Sequence, residues 1–132
     1  PASVREALLT LRDLMNSHSA FVLLGDMLEL GDAAQEMHRK IGLLLATIGV
    51  AAVFLQGDFA RATAAGALEG GLAEERIRML QEDEEAVAFL KKKLRKGDWV
   101  LVKGSRRMKM ERLAARLGEE IGVEKAEDPT AL

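Results

Sequence analysis

The sequence predicts an α/β fold in which about four mostly parallel strands form one sheet with helices on both faces. Short, unbroken apolar runs, typical of strands buried on both faces of a parallel sheet, alternate with longer segments of helical periodicity. The stretches between them are short, as expected for consecutive strand-helix units. A length of 132 residues with 48% hydrophobic content suits one domain with a substantial core.

The first part of the chain is predicted to form a helix over residues 2–16 and a strand over residues 20–25. Apolar side chains recur at helical spacing in the helix, whereas the strand, AFVLLG, is an unbroken apolar run. A second helix is predicted to have Asp32 as its N-cap and to stop at Gly49. The chain therefore opens with a helix and a first strand-helix unit.

Three further strand-helix units are predicted from the same alternation. The run VAAVFLQG predicts a strand, and the helix after it is expected to be capped by Asp58 and ended by Gly70-Gly71. RIRML predicts a weaker strand, followed by a helix whose early acids and late bases complement its macrodipole. DWVLVKGS predicts the strongest strand and MKMERLAARLGEEIG the last helix. The domain is expected to span residues 1–122, with a frayed tail over residues 123–132.

Charge and composition exclude several classes of partner. Lys and Arg number 19 against 21 Asp and Glu, so the net charge of −2 gives no long-range attraction to nucleic acid or anionic lipid. With no cysteine, the chain has no disulfide or thiolate metal site, which suits a reducing compartment. No apolar run approaches the roughly 20 residues that cross a bilayer. We therefore expect a cytoplasmic protein that binds neither nucleic acid nor membrane.

The loop after the first strand, GDMLELG at residues 25–31, is the first candidate site. Ligands of parallel sheets bind outside the carboxyl ends of the strands, where this loop places Asp26 and Glu29 between two glycines. The plainer alternative is that both acids cap backbone amides and face water. The apolar residues between the acids indicate that the loop also packs, which favours a binding role.

The loop after the last strand, KGSRR at residues 103–107, is the second candidate site. Helix N-termini favour phosphate and carboxylate groups, and Arg binds carboxylates through two parallel hydrogen bonds. The loop is not a P-loop, because its lysine precedes the glycine. The alternative is a set of solvated surface bases. The pattern predicts an anion site.

No catalytic residue and no metal ligand is predicted. His38 lies close to the apolar stripe of the second helix, and no other His, Cys or carboxylate cluster at ligand spacing accompanies it. A packed or surface histidine is therefore the preferred interpretation. Neither a dinucleotide fingerprint nor a nucleophile elbow follows any strand.

Three segments together resemble the C-terminal domain of the Mur ligase family, and within it of the MurF ligases, which add D-alanyl-D-alanine to UDP-N-acetylmuramoyl-tripeptide in peptidoglycan synthesis. These segments are VLLGDMLELG, MHRKIG and VLVKGSRRMKMERL. The opening PASVREAL is similar to the family's sequence from the Pro that follows its Tyr-Asn-Ala-Asn segment. The resemblance spans roughly Pro1 to Ile121 and implies a three-layer, Rossmann-like fold.

The resemblance implies ATP-dependent amide formation, in which an acyl phosphate is attacked by the amine of D-alanyl-D-alanine. It implies that Asp26, Glu29, Ser105 and Arg106 bind substrate and that Lys103 binds nucleotide or phosphate. In the family, ATP and Mg are bound mainly by a central domain over which the C-terminal domain closes. Such a domain alone is expected to be inactive, and to be marginal or self-associating without the strand that precedes it in the family.

Alternative functions remain open at this point. Another Mur ligase, or folylpolyglutamate synthase, would share the fold and differ in acceptor. A phospho-receiver-like module would use an acidic pocket and a lysine after the last strand, which Asp26, Asp58 and Lys103 match superficially, although no strand ends in an acidic pair. A purely structural or interaction domain would bind nothing at either loop.

Overall fold

A computed structural model describes residues 2–27, 32–104 and 110–122, with the backbone alone described at residues 2–3. Over these ranges five α-helices surround one four-stranded sheet, which confirms the predicted alternation of elements. The elements are α1 (Ala2–Met15), β1 (Ala20–Leu24), α2 (Ala34–Ile48), β2 (Ala52–Leu55), α3 (Ala60–Glu69), β3 (Ile77–Met79), α4 (Asp83–Lys93), β4 (Trp99–Lys103) and α5 (Met110–Ile121).

All four strands are parallel and lie in the order β3-β2-β1-β4. Strand β1, one of the two internal strands, pairs with β2 on one side and β4 on the other, and all five of its residues are buried. Burial on both faces explains why its sequence shows no alternation of apolar and polar residues. Because β2 and β3 extend from one side of β1 whereas β4 pairs with the other, the topological switch point lies between β1 and β4.

The two faces of the sheet are covered by different helices. Val22 and Leu24 of β1 pack with apolar residues of α1, α2 and α3, whereas Phe21 and Leu23 pack with those of α4 and α5. Successive side chains of a strand point to opposite faces, so one short strand contributes to both cores. The structure is thus a three-layer α/β fold, as predicted.

Helices α2 and α3 touch through their backbones. A Cβ atom at Gly42 would overlap the carbonyl oxygen of Thr63, and a Cβ at Gly66 would overlap that of Arg39. The alanines of α3 suggest a close approach of this helix to the sheet, but the tightest contact of α3 is this glycine seam with α2. We call Gly42, Gly66 and the backbone that they touch the α2–α3 seam.

Two predicted N-caps are wrong. Asp32 lies in a 3₁₀ turn before α2, and the N-cap of that helix is Ala33, which makes no side-chain cap bond. Asp58 does not cap α3 either, because its N-cap is Phe59, again without a side-chain bond of its own. Local sequence identifies capping side chains only within the same segment, whereas the carboxylate at the start of α3 comes from another loop.

The predicted helix ends agree with the structure. Gly49 ends α2 in the left-handed conformation, with φ of 76°, and Gly70 is the C-cap of α3. A reciprocal capping box between Glu82 and Glu85 starts α4, and three lysines occupy its last turn.

The predicted tail, residues 123–132, lies outside the described residues. In the parts of the chain that the structure describes, no helix has the length and apolarity needed to cross a membrane.

Candidate functional site

The two predicted loops leave the sheet side by side at the switch point. Leu24, the last residue of β1, is in register with Lys103, the last residue of β4, and the amide of Gly25 donates to the carbonyl oxygen of Lys103 at 2.8 Å. A Cβ at Gly104 would lie 3.3 Å from the Cα of Gly25, so the backbones stay close beyond the ladder. The prediction that both loops open at one rim is confirmed for their first residues.

The five predicted site residues divide into two groups. Asp26 and Lys103 are described, and they lie where adjacent strands end. Lys103 is half-buried at the end of β4. Glu29, Ser105 and Arg106 lie outside the described residues, and their predicted roles stay predictions.

Asp26 joins the loop after β1 to the loop after β2. Its side chain is 3% exposed, and its two carboxylate oxygens accept the amides of Asp58 at 2.7 Å and Phe59 at 3.0 Å. A Cβ at Gly57 would overlap this carboxylate, and Gly57 has a φ of 112° that side chains rarely adopt. The chain after β2 therefore wraps around Asp26.

The role of Asp26 combines parts of both interpretations of its loop. It does cap backbone amides, at the start of α3, but it does so buried and does not face water. An ionised carboxylate has about four lone-pair sites, so two amide bonds leave acceptor capacity on each oxygen. Its predicted contact with substrate remains a prediction.

His38 is a packed histidine, as predicted, and it also has a polar function that sequence reasoning missed. Its ring is 3% exposed and stacks on Phe59, with centroids 4.8 Å apart and planes at 18°. Nε2 accepts the amide of Met27 at 3.1 Å, and Nδ1 lies 2.6 Å from the carbonyl oxygen of Ala34. A histidine near the apolar stripe, early in the helix after the acidic loop, is the sequence signal that could have suggested this contact.

The exposed edge of the α2–α3 seam carries an ion-pair cluster. Arg39 donates to Glu36 on its own helix and to Glu69 at the end of α3, both at 2.7 Å. These hydrogen bonds raise the pKa of Arg39, and the bond from Arg39 lowers the pKa of Glu36. The side chains of Glu36 and Glu69 are exposed and that of Arg39 is 33% exposed, so the cluster contributes little to stability.

Two open clefts lie elsewhere on the surface. One, of about 400 Å³, lies between the starts of α4 and α5, and the other, of about 320 Å³, lies at the amino end of the sheet. Neither is lined by Asp26 or Lys103. In the first cleft Arg116 donates to Glu84 and Glu120, which raises the pKa of Arg116. Within the described ranges, no group of three or more His, Asp or Glu side chains could hold a metal ion.

The chain is similar to known ligases over most of its length. It is 31% identical over 119 residues to the UDP-N-acetylmuramoyl-tripeptide–D-alanyl-D-alanine ligase of Bacillus subtilis (strain 168), an alignment that covers 90% of this chain and 26% of that protein. It is 38% identical over 107 residues to the ligase of the same name from Treponema pallidum (strain Nichols), covering 77% of this chain and 22% of that protein. The chain thus spans about a quarter of the length of these relatives.

Solved structures show the same fold. The MurF ligase from Thermotoga maritima in complex with ADP superposes with a TM-score of 0.68 at 24% identity, covering 89% of this chain and 26% of that one. A MurF structure from Acinetobacter baumannii has a TM-score of 0.65 at 27% identity, covering 85% and 25%. The family model for the Mur ligase, glutamate ligase domain, matches residues 1–106. This chain therefore belongs to the Mur ligase family and contains its glutamate ligase domain.

Proposed function

We propose that this chain is the C-terminal domain of an ATP-dependent ligase that adds D-alanyl-D-alanine to UDP-N-acetylmuramoyl-tripeptide in peptidoglycan synthesis. Both curated relatives carry that activity in their names, and the Thermotoga relative was solved with ADP. In this proposal the domain binds and aligns the substrates, and the remaining domains of the same ligase supply the rest of the active site.

The observation that carries the proposal is the pairing of Leu24 with Lys103, from which the two loops depart at the switch point. This crevice is where ligands of parallel sheets bind. We propose that the acidic loop, with Asp26 and Glu29, contacts the amine of the dipeptide or the nucleotide. The basic loop, through Ser105 and Arg106, would bind a substrate carboxylate or phosphate.

ATP is the proposed co-substrate, and Lys103 is the proposed contact of this chain to its phosphates. A lysine is a compact cation that suits a phosphate group. We propose that Mg and most of ATP are held by the other domains of the ligase, as the resemblance to the family implies. Accordingly, this chain alone is proposed to lack ligase activity and to act in the cytoplasm, where ATP is available.

A titration of the ¹⁵N-labelled chain with D-alanyl-D-alanine and, separately, with ADP tests the proposal. We expect shifts of the amides of residues 25–31 and 103–107, and none at the amino end around Trp99. Binding in the millimolar range is expected, because other domains are proposed to supply part of the site. L-alanyl-L-alanine is the matched control. An equal response to both dipeptides, or none to D-alanyl-D-alanine and ADP, would contradict the proposal.

Two further measurements separate the alternatives. Free glutamate tests a different acceptor, and larger shifts with glutamate than with D-alanyl-D-alanine would make the acceptor assignment wrong. Acetyl phosphate tests a phospho-receiver, which would gain an aspartyl phosphate visible by mass spectrometry. We expect none, because no strand of this sequence ends in the acidic pair of a phospho-receiver.

A further inference from the structure

Four residues at the carboxyl end of β1 form a closed set of contacts, which we call the His38 circuit: Asp26, Met27, His38 and Phe59. Asp26 accepts the amide of Phe59, and the Phe59 ring stacks on His38. His38 accepts the amide of Met27, which follows Asp26 in the chain. The exit of β1 is therefore held from two directions, by the start of α3 and by α2.

Only one tautomer of the His38 imidazole can form hydrogen bonds with both of its partners. An amide N–H can only donate, so Nε2 must carry the lone pair that accepts Met27. Nδ1 then carries the hydrogen and donates to the carbonyl oxygen of Ala34. This assignment follows from the partners and satisfies both nitrogens.

Burial makes the bond to Met27 hard to replace. Met27 is 4% exposed and His38 is 3% exposed, so water does not readily take over the amide if the imidazole lone pair is lost. An apolar residue would suit the stripe that His38 shares with Ile41 and Leu45, and it would leave that amide without an acceptor. Packing alone therefore does not explain a histidine here.

We infer that His38 is a positioning residue for the start of the acidic loop, Asp26 and Met27. Through its bond to the amide of Met27 it fixes the backbone beside Asp26, which is a proposed substrate contact of this loop. The inference rests on the proposed function for the claim that this loop binds substrate, whereas the bond to Met27 stands independently of it.

Three variants of the chain separate positioning from general stability. His38→Phe keeps an aromatic ring against Phe59 and removes the lone pair, whereas His38→Gln restores a side-chain acceptor. Leu45→Ala truncates another fully buried residue of α2 and lowers stability, but it leaves the hydrogen bond to the Met27 amide in place. Each is compared with the unchanged chain.

The first readout is amide hydrogen exchange at Met27, measured relative to Val22 in the middle of β1. In His38→Phe we expect this ratio to rise about tenfold, because a buried hydrogen bond has been lost. In His38→Gln and Leu45→Ala we expect it to stay within about threefold of the unchanged chain. An unaltered ratio in a folded His38→Phe variant would overturn the inference.

The second readout is the Kd for D-alanyl-D-alanine. We expect an increase of about tenfold in His38→Phe, and at most about threefold in the other two variants. The inference would be overturned if Leu45→Ala raised the Kd as much as His38→Phe does. It would also be overturned if His38→Phe raised the exchange ratio of Met27 and left the Kd unchanged. If the unchanged chain binds neither the dipeptide nor ADP, the proposed function fails, and the exchange ratio alone decides whether His38 positions Met27.

Discussion

The same hydrogen-bonding arrangement occurs at both ends of the sheet, in two different environments. At the carboxyl end, Asp26 accepts two backbone amides from the loop after β2. At the amino end, Asp98 accepts the amides of Ser19 at 3.0 Å and Arg95 at 2.9 Å. Asp26 is buried, whereas Asp98 is partly exposed in a cleft rich in bases.

The two aspartates differ in how much water reaches their hydrogen bonds, and this difference decides how strongly each one fixes the backbone around it. The hydrogen bonds of Asp98 are exposed to water, whereas those of Asp26 are partly buried, so the arrangement around Asp26 is the more costly to disturb. The bases at the amino end, such as Lys93 and Lys96, lie in and after the last turn of α4, where cations complement the helix dipole. We therefore expect changes at the carboxyl end to affect stability and binding more than matched changes at the amino end.

The largest effect is expected from Gly66→Ala, which adds a methyl group to the α2–α3 seam beneath the carboxyl end. The new Cβ meets the backbone of Arg39, which cannot move aside as a side chain can, so we expect a loss of about 3 kcal/mol in the free energy of unfolding. Urea denaturation measures it. Gly71→Ala is the control: its Cβ meets nothing within 4 Å, and only its positive φ costs about 1–2 kcal/mol. If both variants lost the same free energy of unfolding, the contact in the α2–α3 seam would not be the cause of the loss in Gly66→Ala.

The next effect comes from paired carboxylate-to-amide changes. Asp26→Asn keeps the side-chain volume but replaces one acceptor oxygen of a buried side chain with a donor that faces a backbone amide, so we expect a loss of about 2 kcal/mol. Asp98→Asn makes the same change where water can compensate, and we expect about 0.5 kcal/mol. Thermal and urea unfolding of both variants check this. A larger loss for Asp98→Asn would reverse the comparison.

A third test compares two lysines at opposite rims. Lys103→Met removes the proposed phosphate contact, and we expect the Kd for ADP to rise about tenfold, which corresponds to about 1.4 kcal/mol. Lys96→Met removes a cation from the basic cleft at the amino end, and we expect the Kd to change by less than about twofold. Isothermal titration calorimetry measures both. Similar increases would indicate general electrostatic attraction and not a site.

The smallest effect is expected from Arg116→Met. The hydrogen bond from Arg116 lowers the pKa of Glu120, so this pair contributes stability above the unfolded-state pKa that is lost as pH falls through the folded-state pKa. In the variant, the decline of stability with acid below about pH 4 should become slightly shallower. Each of the two side chains is about one third exposed to water, so the change is small and diminishes in high salt. Arg112→Met on the same helix is the control, and an equal change in it would contradict this origin.

The fold was predictable because the information for it is local. Apolar runs such as AFVLL gave β1 to within one residue, and Gly49 and Gly70 ended their helices as expected. The parallel direction of the strands then follows from strand-helix alternation, and it places the loops after all of them at one rim. The order β3-β2-β1-β4, which puts β1 beside β4, came from the structure.

The site was predictable only where its contacts are local. Asp58 was expected to cap α3. The carboxylate that accepts the amides at the start of α3 is instead that of Asp26, which lies in a separate loop 32 residues earlier in the chain. His38 could be recognised as packed, but its bond to Met27 depends on how α2 is placed against β1. The roles of Glu29, Ser105 and Arg106 stay predictions, because they depend on loops outside the described residues.

The register of β1 limits how this rim can diversify during evolution. Leu24 is in register with Leu55 on one side and Lys103 on the other, so deleting one residue of β1 would turn its following side chains to the wrong face and misalign two ladders. Insertions in the connections after β1 and β4 leave both ladders intact. The length and composition of these connections can therefore change among descendants of this domain, while the lengths of the strands beneath them are kept.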